Sequence, residues 1–180
     1  MELPNIFKKK QNIPAEELAQ VFFEDTTLKV VQVWFVEFYE KNREKPEFRD
    51  DIFQLKAFTG SVAVVFLALA NGRDKRGIDH VIKCFLQLVN YEMLKRWNYE
   101  SEEAGSIVAS ESNSFMKLLF SDPEAKDMRV HFEWSTAWLL DCGIVEHNPV
   151  RLFLLGMTWK DQYIAATNGI AAILKKFNIK

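Results

Sequence analysis

Turn-forming residues are scarce in this chain: seven glycines and five prolines in 180 residues, about half of the roughly 12% found in average globular proteins. An all-β fold, with a turn signal roughly every 8–12 residues, is excluded on that ground. Cysteine is scarcer still. Cys84 and Cys142 are the only thiols, too few and too far apart for a disulfide framework or a four-cysteine zinc centre. Two isolated cysteines suit a reducing compartment, so a cytoplasmic protein is expected. An excess of one charge is also missing. The 23 basic and 25 acidic residues give a net charge of −2, whereas nucleic-acid binders gather basic residues on one face. The clusters Lys8–Lys10, Arg73–Arg76 and Lys175-Lys176 are short and sit at ends or turns. They read as solvated ends, and no nucleic-acid partner is expected. The most apolar run, Ala57–Ala70, has 14 residues interrupted by Thr59, Gly60 and Ser61. A bilayer span needs ~20, so this run reads as a buried core helix, with no membrane span expected. Met1–Lys10 has no apolar stretch after its lysines, which leaves a secretory signal unexpected.

Aromatic residues are abundant, with 15 Phe, 5 Trp and 4 Tyr against an ordinary 48% hydrophobic and 27% charged composition. Large rings either fill a core or line a cavity, and the first reading is preferred. The few turn signals divide the chain into long segments with helical spacing. Pro14 suits the first position of a helix carrying Leu18, Val21 and Phe22. Asp25–Thr27 offers a cap for a segment to Glu40, although Val30, Val31, Val33 and Val36 leave a strand open there. A third helix is predicted over Glu47–Ala70, apolar on nearly all sides beyond Gly60, with Asn71-Gly72 as its stop. A fourth covers Ile78–Asn98, with Glu92 and Arg96 paired at i,i+4. Ser101–Phe120 is the weakest, because Ser110, Ser112, Asn113 and Ser114 compete for backbone hydrogen bonds and threaten to break it. Asp122-Pro123-Glu124 opens a sixth helix that stops at Gly143. Asn148-Pro149 opens a last segment to Phe177, either unbroken or divided at Asn168-Gly169. Within it Ala165 and Gly169 are expected to allow close helix contact.

The fold class expected is therefore all-α: one domain over residues 1–180, six to eight helices around one core, with residues 1–13 as a partly ordered N-terminal arm. Phosphate-binding glycine loops, dinucleotide fingerprints, nucleophile elbows and His-Glu-x-x-His or Glu-x-x-His metal motifs do not occur. No catalytic, cofactor-binding or metal-binding residue is assigned, and no cofactor is expected.

Three looser constellations remain. His80 and Cys84, four apart, share a helical face, and an imidazole beside a thiol can activate it; a plain core cysteine is the preferred reading. Asp127, His131, Trp134, Trp138 and Asp141 form a stripe at spacings of 4, 3, 4 and 3. There an Asp can orient a His, and Trp faces can receive a ring or a cation. Met128, Phe132, Ser135 and Leu139 read as the core face of that helix, which leaves the Trp stripe as a second buried face or an edge. With Trp159 and Tyr163 from the last helix, the residues Asp127, His131, Trp134 and Trp138 are the first place to look for a ligand or partner site. Cys142, Glu146 and His147 make a third group in a loop.

Function does not follow from any of these signals alone. A non-catalytic interaction or regulatory module ranks first, partnered by another protein or by a second copy. A bundle binding a small apolar or aromatic ligand ranks second. An enzyme using His131 or the His80/Cys84 pair ranks third.

Overall fold

The computed structural model describes residues 11–24, 36–72, 77–121 and 128–180. The fold is an all-α bundle, as expected from the sequence. Among the described residues it runs β1 (Gln11–Ile13), α1 (Ala15–Val21), α2 (Val36–Asn42), α3 (Asp50–Ala70), α4 (Ile78–Trp97), α5 (Ser101–Ser121), α6 (Met128–Asp141), α7 (Pro149–Lys176) and β2 (Phe177–Ile179). Pro14 stands immediately before α1 rather than inside it. Residues 25–35 of the second predicted segment lie outside the described residues, as do Asp122-Pro123-Glu124 and Asp127.

Helix α3 is the centre. It packs against α4, α5 and α7, while α1 leans on α4 and α6 on α7. A helix apolar on all sides has to be covered on all sides, and α3 separates two cores. Leu55, Phe58, Val62, Val65 and Leu69 face the first, which is completed by α1, α4 and the end of α7. Phe53, Ala57, Ala63 and Val64 face the second, built with the end of α5, α6 and the start of α7. Its polar first turns lengthen α3 to 21 residues. It is the one helix among the described residues long and apolar enough to cross a membrane, and 78% of its most apolar window is buried in the bundle.

Several predicted boundaries hold for the reason given. Asn148 Oδ1 accepts from the N–H groups of Val150 (3.0 Å) and Arg151 (3.4 Å) ahead of Pro149, so two orphan donors of α7 are satisfied. Gly143 ends α6 at φ +72°, and a Cβ there would lie 1.8 Å from the Glu47 carbonyl oxygen. Arg96 is bonded to Glu92. Helix α3 stops at Ala70 as predicted, but without the left-handed glycine: Asn71 stays right-handed, and Gly72 is not among the residues of positive φ.

Other readings are corrected. Helix α5 runs unbroken through its serines. Ser112 is buried, and Ser114 Oγ accepts from the Trp134 indole N–H at 2.9 Å, so tertiary contacts outweigh local competition. Of the two alternatives left open for the last segment, the unbroken one holds: helix α7 is one piece through Asn168-Gly169. Ala165 and Gly169 are exposed, with nothing near Gly169. The close approaches occur instead at Gly60, where an added Cβ would meet Trp159 at 2.8 Å, and at Gly156, where it would meet His131 Nδ1 at 2.8 Å. Met128 and Phe132, read as core, are exposed at 55% and 38%. The buried face of α6 is His131, Ser135, Trp138 and Leu139, about one residue round the helix from the predicted stripe.

Residues 11–13, read as part of an arm, form β1 and pair in parallel with β2, Gln11 opposite Phe177 and Ile13 opposite Ile179. The Lys180 N–H donates to the Ile13 carbonyl (3.0 Å), and the Ala15 N–H to the Lys180 carbonyl (3.2 Å). Gly77, at φ +89°, lies against this pair: a Cβ would sit 2.7 Å from Ile179.

Candidate functional site

The tryptophan stripe converges, and what it converges on is the second core. Phe115 meets Trp134 edge-on at 4.8 Å and Trp159 at 4.9 Å between centroids. Trp138 lies 6.2 Å from Trp159 and stacks on Trp134 at 6.3 Å. These are ordinary separations for aromatic pairs, and each of the three indoles contacts at least two other rings of the protein. His131 is fully buried between α6 and α7, edge-on to Phe153 at 5.3 Å. The absent side chain of Gly156 makes room for it. Tyr163 is half-buried and T-stacked on Phe120 at 5.7 Å. Of the six residues singled out, Trp138 and Trp159 therefore lie in one core, Trp134 and Tyr163 pack against it, His131 is buried beside Gly156 and Phe153, and Asp127 is outside the described residues.

Beside that core is an ionic group that the sequence reading missed. Lys56 of α3 reaches Asp141 Oδ2 at 2.5 Å and Glu111 Oε1 at 3.6 Å, and its ammonium stands 5.9 Å over the Trp138 ring. Lys56 and Glu111 are largely buried and Asp141 is exposed. Burial pushes the Glu111 carboxyl up from its ordinary range; Lys56 opposes that shift and Asp141 adds to it. Arg49 reaches the Asp141 carbonyl at 3.1 Å. One lysine compensates two acids here and ties α3, α5 and the end of α6 together. The available signal was a lone Lys on the otherwise apolar run Leu55–Phe58, since a charge in that position requires a partner.

The loop group resolves into capping. Glu146 accepts from the Asn148 N–H (2.9 Å) and pairs with Arg151 (3.4 Å). Burial alone would raise its carboxyl, but these donors together hold it below the usual range. Cys142 is fully buried and donates to the Trp138 carbonyl. Burial pushes its thiol up to about 12, which opposes formation of the reactive thiolate. His147 is exposed.

The pair His80 and Cys84 gains a third member from across the bundle. His80 Nε2 lies 3.6 Å from Glu16 Oε1 of α1, and the donor atoms of Glu16, His80 and Cys84 all lie within 4.8 Å of one another. Burial, then Glu16, push the Cys84 thiol up, which opposes the activated-thiol reading. The three histidines thus belong to three separate settings.

Exposed apolar residues on α6 and α7 are the remaining feature. Met128, Phe132 and Leu140 on α6 and Val150, Leu154 and Ile164 on α7 are all exposed. With Val145 in the connecting loop they account for seven of the thirteen large exposed hydrophobics among the described residues. In comparisons with known proteins, no family model, no curated protein and no solved structure matches this chain.

Proposed function

We propose that this protein is a non-catalytic helical interaction module that associates with a second copy of itself through the exposed apolar residues of α6 and α7. The observation that carries this reading is the concentration of exposed apolar side chains on that one helical hairpin. Scattered apolar residues are normal on a surface, whereas a gathering of them marks an interaction site. Charge favours a second copy as the occupant. The same hairpin carries Arg129 paired with Glu133 (3.6 Å) and Arg151 paired with Glu146. A hairpin bearing charges of both signs suits a two-fold interface, in which each charge meets the same surface of its partner. The two unbridged cysteines support a reducing, cytoplasmic setting for that pairing.

Size-exclusion chromatography with light scattering, over a concentration series reaching tens of micromolar, tests the reading. The expected result is a monomer–dimer equilibrium that Phe132→Glu/Leu154→Glu shifts to monomer without changing the circular dichroism. A strict monomer at every concentration refutes self-association. A dimer unaffected by the double variant refutes the face assigned to it.

A further inference from the structure

We infer that Glu16, His80 and Cys84 form a binding site for a borderline transition-metal cation of the zinc type. Their donor atoms, a carboxylate oxygen, an imidazole nitrogen and a thiol sulfur, come from two packed helices and lie within 4.8 Å of one another. His80 and Cys84 are four apart on α4, the spacing that puts two side chains one above the other on a helix. Glu16, from the first turn of α1, closes the third corner with its Oε1 3.6 Å from His80 Nε2.

Tetrahedral zinc holds its ligands at about 2.0–2.3 Å, which places neighbouring donors about 3.5 Å apart. The existing separations need only a small contraction. Glu16 and His80 are exposed, with side-chain accessibilities of 67% and 53%, so their rotamers are free to make it. Cys84 is 8% accessible and provides the fixed point. The donor set selects the metal. Calcium and magnesium take oxygen ligands, whereas thiolate with imidazole suits zinc and its neighbours. On binding, the Cys84 S–H bond breaks, its electron pair goes to the metal and the proton to solvent. Three protein ligands leave the fourth position for water. The metal would pin the seven-residue α1 to the start of α4. These residues lie apart from α6 and α7, so this site and the dimer stand or fall separately.

Cobalt(II) titration of the full chain, followed by absorption and then zinc displacement, is the test. The wild type should bind one equivalent, with a sulfur-to-cobalt charge-transfer band in the near ultraviolet and visible bands of tetrahedral intensity. Cys84→Ser should lose the charge-transfer band, and Cys142→Ser should keep it. His80→Ala and Glu16→Gln should each weaken binding by at least the ~10–100-fold lost when even an outer-shell partner is removed. Both of these side chains are exposed, so their variants decide the matter if circular dichroism shows Cys84→Ser misfolded. The absence of a charge-transfer band in the wild type would overturn the site. So would a band that survives in folded Cys84→Ser, or binding unchanged in both His80→Ala and Glu16→Gln.

Discussion

The two cores flanking α3 are made of different material. The first, between α1, α4 and the end of α7, is aliphatic with phenylalanines: Leu18, Val62, Val65, Leu69, Ile78, Val81, Val89 and Phe85. The second contains both of the tryptophans buried among the described residues, Trp138 and Trp159, closed against Gly60, with His131 against Gly156 beside it. The helices α6 and α7 also bury polar side chains, His131 and Ser135 on α6 and Lys160 and Gln162 on α7, whereas α4 buries only Glu92. Many small branched groups can fill a space in several ways, and such cores accept volume-conserving swaps. A few large rings fitted around missing side chains have one arrangement. The first core should supply bulk stability and the second a fixed geometry.

That contrast can be broken or sharpened by experiment. The largest expected loss is from Trp159→Ala, about 3–5 kcal/mol by urea denaturation, because its ring is fully buried against Gly60 of α3, Phe115 of α5 and Trp138 of α6. Ile82→Leu, in the first core, should cost less than ~1.5 kcal/mol. A loss as great there would abolish the distinction.

Gly60→Ala should lower stability by about 1–3 kcal/mol through overpacking against Trp159 and Phe115, despite the ~1 kcal/mol that alanine brings to a helix. Gly105→Ala, in α5 with nothing within 4 Å, should show that gain and raise the thermal midpoint. Opposite signs from one substitution would locate the constraint in the tryptophan core.

Alkaline unfolding reads the buried thiol of the second core, to which the raised Cys84 thiol of the first core adds in the same direction. The Cys142 thiol is held up to about 12 from an ordinary 9.0 by burial. Between those values the unfolded chain has released a proton that the folded chain retains. Stability is therefore complete below pH 9 and falls as pH rises toward 12. Cys142→Ala should flatten this limb in denaturation curves at several pH values, and an unchanged slope would show that the thiol is not held so tightly. The smallest effect is expected from Ser135→Ala. The Ser135 hydroxyl is buried with no hydrogen-bond partner among the described residues. Removing it should leave stability unchanged or raise it by up to ~1 kcal/mol.

The same contrast explains how much was legible in advance. Helix boundaries marked by local chemistry, such as Asn148-Pro149 and Gly143, could be read because capping involves only neighbours in the chain. The convergence of Trp134, Trp138 and Trp159 could be suspected from spacing, but whether the rings enclosed a space or one another depended on Phe115, supplied by α5. The face of α6 was misjudged because Met128 and Phe132 are as apolar as a core residue, and only the position of α7 decides which side is covered. Glu16 was legible as a helix-end carboxylate, but not as a neighbour of His80, since 64 residues separate them. The β1–β2 pair left no trace, because three-residue strands from distant parts of the chain have no periodicity to detect.

That pair has a mechanical consequence. Because β1 and β2 run in parallel and lie near opposite ends of the chain, tension applied through the two ends drags the strands in opposite directions along their length. Their cross-links then bear the load side by side in shear, instead of opening singly as in a zipper. Among the described residues, this short clasp is the first element that such a pull loads, ahead of the helices it encloses.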